Sequence, residues 1–351
     1  MTLKANPGNY FEDFRLGVQI YHATPRTVTV GDVALYSSLY GTRFAVQSAD
    51  TFAQKIGYPR SPIDDFLVFH IVFGKTVPDI SLNAVANLGY AGCRFLKPVY
   101  PGDTLHAVSE VVGLKENSNH QTGVVYVHSK GFNQNNEQVL DYFRYVMVRK
   151  RDMDAEASAE HIPNLPKVVP VTQLGTACPI IDTRAYDFAR AGSPYRWGDY
   201  EKGEKIDHVD GMTIEEAEHM IATRLYQNTA RVHFNQLTEG QARFGRRLVY
   251  GGHIISLARA LSFNGLANAF HVAAINGGRH VAPVFADATI FAWSEVLETA
   301  ELPDRDDVGA LRLRTIAAKD KPCTQFPLKA ATEEYHPAAV LDLDYWVLLP
   351  K

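Results

Sequence analysis

Apolar positions along the chain fall into short strand-like runs broken by one long apolar stretch, and this order occurs twice. In the first part, Ala86–Phe95, Thr104–Val112, Gly123–Asn133 and Val139–Val148 are rich in β-branched and aromatic residues and predict strands. Pro101–Asp103, reading PGD, supplies turn chemistry between two of them. Val18–Val30 suggests a further strand and Asp32–Tyr40 a short helix. Phe66–Val77, FLVFHIVFGKTV, is apolar almost all round, so a helix there is buried. Asp64 and Asp65 just before it suit a helix start, where the macrodipole favours acids.

The second part repeats the order. Thr213–Leu225 carries acids in its first turn, arginine in its last, and Thr213 with Glu216 as a capping box. Ile254–Phe270 predicts the buried helix, and His271–Val281, Thr289–Leu297 and Val340–Leu349 predict strands. Sequence echoes support a duplication. NYFEDFRLGVQIYH matches YRWGDYEKGEKIDH, pairing Gly17 with Gly203, Ile20 with Ile206 and His22 with His208, each 186 apart (208 − 22 = 186). KPVYPGDTL likewise echoes APVFADATI. The expected organisation is an N-terminal domain over 1–150, a linker over 151–194 and a C-terminal domain over 195–351. The linker is rich in Ala, Pro and small residues and is expected to lie across the surface, with room for one strand of its own. One long apolar helix followed by antiparallel strands is an α+β pattern, a sheet wrapped round the helix in each half.

Composition narrows the class. The 351 residues are 46% hydrophobic and 21% charged, with a net charge of −4, which suits a globular core and gives no nucleic-acid surface. Three widely spaced cysteines form no metal or redox motif and fit a reducing, cytoplasmic setting. The start, MTLKANPGNYFEDF, lacks the apolar core of a secretory signal, and there is no apolar run of membrane-spanning length.

RFLKPVYPGDTL followed by strands resembles the signature of the hotdog fold. YQNTARVHFN followed by LVYGGHI resembles the catalytic segment of the MaoC-like, R-specific enoyl-CoA hydratases. The likeness runs over nearly the whole chain as two hotdog domains in tandem. It is strongest to the 2-methylfumaryl-CoA (mesaconyl-C1-CoA) hydratases, also called β-methylmalyl-CoA dehydratases. The usual family motif is an aspartate, any residue, Asn-Pro, a branched aliphatic residue, then histidine. Val232 and His233 match its end, Asn228 stands in the aspartate's place, and Ala230-Arg231 replace Asn-Pro. The first half has Thr42 and Gln47 at the equivalent positions, which leaves one active site per chain and makes the first domain a wall of the substrate tunnel.

The resemblance implies a hydro-lyase working on a coenzyme A thioester. Dehydration of a 3-hydroxyacyl thioester needs an acid-base group, and His233 can both take the α-proton and deliver one to the departing hydroxyl. Asn228 does not titrate and would orient the water. Gly251, at the position of the family's oxyanion glycine, would offer a free backbone N–H at a helix start, with Gly252 as a secondary candidate. The carboxylate of the implied substrate needs a cation, expected to be Arg231, with Arg247 and Arg224 behind it. Arg94, Lys97 and Arg279 are candidates for the coenzyme A phosphates. No metal or redox cofactor is implied, and no nucleic acid or membrane partner. A homo-oligomer, with a dimer favoured, is the expected assembly.

Plainer roles compete. Asn228 can be a helix C-cap, Gly251–Gly252 a tight turn and Arg231 a surface residue. His70 and His253 read as satisfied core groups. A hydratase for simple acyl chains, a hotdog thioesterase and a non-catalytic acyl-CoA binder are the rival functions. A thioesterase generally needs a carboxylate, and residues 228–235 contain none.

Overall fold

The computed structural model describes residues 4–155, 159–330 and 333–351. Its strands are β1 (Gln19–Tyr21), β2 (Arg26–Thr27), β3 (Ala84–Phe95), β4 (Thr104–Glu116), β5 (Thr122–Phe132), β6 (Gln138–Arg149), β7 (Lys205–Thr213), β8 (His271–His280), β9 (Thr289–Glu301), β10 (Val308–Lys319) and β11 (Ala339–Pro350). They form one antiparallel sheet in the order β1-β4-β5-β6-β3-β8-β11-β10-β9-β7, with β2 on β4. The order reads alike from both ends, and the halves join where β3 meets β8, with Tyr90 opposite Gly278 and Cys93 opposite Ile275.

Contacts across the middle show the same symmetry. The Tyr40 and Tyr226 hydroxyls, 186 residues apart, meet at 2.7 Å. His70 Nε2 and Ser256 Oγ, also 186 apart, meet at 3.0 Å. Equivalent positions can touch each other in this way only near a pseudo-twofold axis. Each half also keeps a buried histidine on a serine: His22 Nε2 lies 2.8 Å from Ser109 Oγ, and His208 Nε2 lies 2.8 Å from Ser294 Oγ.

Each half wraps its sheet round a long buried helix, Asp65–Ile80 in the first and Gly251–Leu261 in the second. The two helices start differently. Asp64 Oδ1 accepts the N–H of Phe66 at 2.9 Å and caps the first. Tyr250 stands at the equivalent position of the second and provides no side-chain cap. The His253 N–H turns back to the Tyr250 carbonyl at 2.9 Å, which leaves the N–H groups of Gly251 and Gly252 to a ligand or water.

Several expectations change in the structure. Thr213 ends β7 and bonds the Thr289 hydroxyl at 2.8 Å, so it caps nothing; the helix begins at Glu216 behind Glu215. The expected helix over Ile254–Phe270 stops at Leu261, and the chain breaks at Gly265 (φ 102°), where the Asn264 carbonyl accepts from His208 Nδ1 at 2.7 Å. Val18–Val30 is two short strands and the start of a helix over Val30–Tyr40. β10 is absent from the expected strands although Leu311-Arg312-Leu313-Arg314 alternates as a strand does; its two arginines each make a two-point ion pair, with Asp344 and Asp342 on β11. The segment 151–193 does more than cross the surface. Its Val169, Leu174, Cys178, Ile181 and Tyr186 are buried in a second core with Phe270, Trp346 and Leu348. Apolar residues scattered among Pro and Gly suffice for this, because the sheet already offers the complementary face. No strand forms there among the described residues; His161 makes one isolated bridge with Leu114.

One close approach fixes the loop that follows the helix Glu216–Leu225. A Cβ on Gly74, in the first long helix, would lie 1.9 Å from the Tyr226 carbonyl oxygen. Gly74→Ala is expected to destabilise the protein by about 1–3 kcal/mol or more, because backbone has to move on one side. Thermal unfolding checks this, and an unchanged midpoint would contradict the packing described.

Candidate active site

The loop Tyr226–Asn235 leaves its helix through Gln227, which takes the left-handed conformation (φ 52°). Asn228 is therefore not the left-handed cap. Its Oδ1 accepts the Ala230 N–H at 3.0 Å, which turns the chain into the 3-10 turn Arg231–His233. This leaves the Asn228 amide nitrogen without a hydrogen bond among the described residues. The turn is pinned to the strand-like segment before the second long helix: Leu248 N–H donates to the Val232 carbonyl at 2.9 Å, and the Leu248 carbonyl lies 2.9 Å from His233 Nδ1. A carbonyl can only accept, so Nδ1 carries the proton and Nε2 keeps its lone pair. Burial pulls the His233 pKa down to about 4, against the opposing pull of the Leu248 carbonyl. The ring is thus a neutral base at neutral pH.

His233, Asn228, Arg231 and Gly251 line one cavity of about 520 Å³ between the two halves. Phe73 and Val77 of the first long helix, Tyr90 of β3 and Val146 of β6 form its opposite wall. That volume accommodates an acyl-pantetheine arm. At the rim stand Arg149, Arg231 and Arg243, all exposed, beside Glu239. Glu239 is the single carboxylate among the described lining residues.

His280, at the end of β8, escaped the sequence reading. It lines the same cavity, and its Nε2 is buried with no hydrogen-bond partner among the described residues. A Cβ on Gly251 would come within 2.5 Å of its Cε1 and Nε2, so the glycine lets this ring close over the helix start. Burial brings the His280 pKa to about 4, with His233 adding to the effect. The only signal in the sequence is its place at the end of a strand, shared by many residues.

Other expected site residues fall elsewhere. Gly252 faces the rings of Tyr250 and His70 under the cavity. Arg247 turns away from the cavity to pair with Glu216, whose carboxylate also meets His219 at 3.1 Å. Arg224 lines a separate cavity on the other side of the Asn228 loop, with Lys75 and Gln227. Arg279 is exposed, opposite Asp342 in the β8–β11 ladder and outside the cavity lining. Arg94 pairs with Asp141 at 3.4 Å, and Lys97 pairs with Glu137, both away from the rim. Gln47, in the histidine's equivalent place, donates to the Phe270 carbonyl at 2.7 Å, and Thr42 lies outside the cavity lining. His70 and His253 are buried among Ser256, Tyr250 and Tyr40 and are held neutral by burial, both near pKa 3.

The sequence model of the family described as mesaconyl-CoA hydratase matches residues 3–326. The chain belongs to that family. It is 65% identical to the β-methylmalyl-CoA dehydratase of Chloroflexus aurantiacus, over 100% of this chain and 99% of the relative. It is 56% identical to the mesaconyl-CoA hydratase of Cereibacter sphaeroides, over 99% and 100%. A crystal structure of a MaoC domain protein dehydratase from Chloroflexus aurantiacus superposes with a TM-score of 0.98 at 64% identity, covering 100% of this chain and 99% of that one. A double-hotdog protein of Mycobacterium tuberculosis superposes with a TM-score of 0.74 at 25% identity, over 98% and 99%. The fold is thus the double hotdog, and the family's chemistry is that of a hydro-lyase on coenzyme A thioesters. Among the described residues no helix is long and apolar enough to cross a membrane.

Proposed function

We propose that this chain interconverts β-methylmalyl-CoA and 2-methylfumaryl-CoA with loss or gain of one water. The observation that carries the reading is one cavity holding a neutral, lone-pair-bearing His233 Nε2 and an uncapped helix start at Gly251, in a chain of this family. In dehydration, His233 Nε2 takes the proton from the methyl-bearing α-carbon. The electron pair moves into the thioester carbonyl, and the oxyanion is held by the Gly251 N–H. As the pair returns to form the double bond, the C–O bond at the β-carbon breaks. The imidazolium gives its proton to the departing hydroxyl on the same face, so water leaves and His233 is neutral again. The free amide nitrogen of Asn228 donates to that oxygen. The scheme calls on no metal or redox cofactor.

The exposed Arg149, Arg231 and Arg243 at the rim suit the coenzyme A phosphates, which stay in water. Arg231 thereby takes a different task from the carboxylate contact first expected of it. Glu239, the single carboxylate among the described lining residues, stands at the rim, which disfavours hydrolysis through an activated water or anhydride. Cys93, Cys178 and Cys323 are all free and buried, as suits action in the reducing cytoplasm. Dimers of the chain remain the assembly favoured.

The test is an absorbance assay on 2-methylfumaryl-CoA and crotonyl-CoA, with thiol release followed in parallel. Loss of the conjugated-thioester band on the branched dicarboxylic substrate, without free thiol, is the expected result. Thiol release, or a preference for crotonyl-CoA, would overturn the reading.

A further inference from the structure

Arg144 sits in the middle of β6, opposite Tyr90 of β3, with no exposed surface. Its guanidinium lies 4.3 Å above the Phe73 ring. Nε, Nη1 and Nη2 all lack a hydrogen-bond partner among the described residues. Other arginines of the chain are treated differently. Arg305, Arg312 and Arg314 each make a two-point pair with an aspartate, and the buried Arg259 donates to the Ala269 carbonyl. Guanidinium stays protonated under any ordinary condition. A buried cation with neither counter-ion nor hydrogen bonds is strongly unfavourable, and its face-on contact with one phenyl ring offsets only part of that. The neighbouring phenols of Tyr90, Tyr142 and Tyr250 do not supply the missing anion, since burial raises their pKa and keeps them neutral.

The surroundings show where the anion would come from. Arg144 is not itself among the described cavity-lining residues, but Phe73, whose ring it covers, and Tyr90, its partner across the β3–β6 ladder, line the catalytic cavity together with Tyr250. The Tyr250 ring is 5.4 Å from the His233 ring, and the Tyr90 ring is 6.2 Å from the His280 ring. One aromatic layer therefore separates this cation from both imidazoles. In the substrate of the proposed reaction, the free carboxylate is carried by the same β-carbon that loses the hydroxyl. It must come to rest beside the reacting atoms, deep in the cavity, where the exposed rim arginines are poorly placed. We infer that Arg144, from the half of the chain lacking the catalytic histidine, is the receptor for the free carboxylate of the acyl chain. The inference rests on the proposed reaction and adds its specificity group. A planar carboxylate offers two oxygens to the guanidinium fork and restores the missing charge balance. A neutral acyl chain leaves the cation unpaired, so the same residue selects against it.

The test compares 2-methylfumaryl-CoA with 2-methylcrotonyl-CoA, in which a methyl group replaces the carboxylate. Wild-type enzyme is expected to prefer the dicarboxylic substrate in kcat/KM. Arg144→Gln should reduce that preference by about 10²-fold or more, mainly through KM, as expected when one partner of a buried charge pair is removed. Arg144→Lys should reduce it less. A purely structural arginine would lower both substrates alike, and an unchanged ratio in both variants, or a parallel fall, would overturn the assignment. A measurement on the wild type alone guards against a variant that fails to fold. A buried pair is screened little, so the KM advantage of the dicarboxylic substrate should persist from low to high salt. Collapse of that advantage with salt would place the contact at the rim and overturn Arg144. A wild type with no preference for the dicarboxylic substrate overturns both this inference and the proposed reaction. A kept preference in the Arg144 variants overturns this inference alone.

Discussion

His233→Ala is expected to lower kcat by about 10²–10⁴-fold, the usual contribution of a positioned acid-base group. The geometry leaves little to replace it on that face. Asn228 carries an amide that does not titrate, and the Leu248 carbonyl that orients the ring is an acceptor only. The effect should appear in kcat and kcat/KM together, because the proton moves only in the transition state. The wild-type pH profile gives an independent check. A base works when unprotonated, so activity falls as pH drops through its pKa. Burial holds His233 near pKa 4, so kcat/KM should stay level from neutral pH down past 6.5 and fall only on approach to 4. A limb centred on the ordinary histidine value would mean that the ring is more hydrated in the working enzyme than its burial indicates. Near-normal turnover in His233→Ala would move the proton traffic to His280, whose own alanine variant would then carry the loss.

Gly251→Ala keeps the backbone N–H but should displace it from the thioester oxygen, at a cost in kcat of up to about 10²–10³-fold, the magnitude seen when one oxyanion donor is lost. Alanine is a better helix former than glycine, so helix propensity alone predicts a stabler protein. The added Cβ, however, would lie 2.5 Å from His280 Cε1 and Nε2, and either the ring or the helix start must shift. Activity should therefore fall much further than the melting temperature. Gly252→Ala is the control. Its Cβ would meet the Tyr250 ring at 2.3 Å and the His70 ring at 2.5 Å, in the packed layer beneath the cavity, so its main expected effect is on stability. Equal kinetic losses in the two variants, at equal stability, would argue against a special role for the Gly251 N–H.

The duplication accounts for the single site per chain of the proposed reaction. In the second half, Tyr250 leaves the helix start open and Gly251 lets His280 approach it. In the first half, Asp64 closes the equivalent start with its own carboxylate, and Asp65 Oδ2 is taken by the Val272 N–H at 2.8 Å. In the proposed reaction an anionic intermediate would be repelled there and stabilised at the open helix start of the second half. The first half contributes wall and, by the inference above, a cation.

By itself the sequence determined what depends on neighbours along the chain. Strand runs, the two buried helices and the paired histidines of the duplication follow from side-chain periodicity and short motifs. The six-residue stretch from Asn228 to His233 is legible for the same reason, since a single turn sets the spacing of its ends. Tertiary structure decided what depends on register between distant strands. Arg144 and His280 lie on β6 and β8 and look like ordinary strand residues in sequence; only the pairing of β6 and β8 with β3 places His280 in the cavity and Arg144 behind its Phe73 and Tyr90 wall. Arg247 and Arg279 looked equally suitable as charges, but one is neutralised by Glu216 and the other lies outside the cavity. Charge is a property of a residue, whereas an unmatched charge is a property of its surroundings, and those are assembled only when the chain folds.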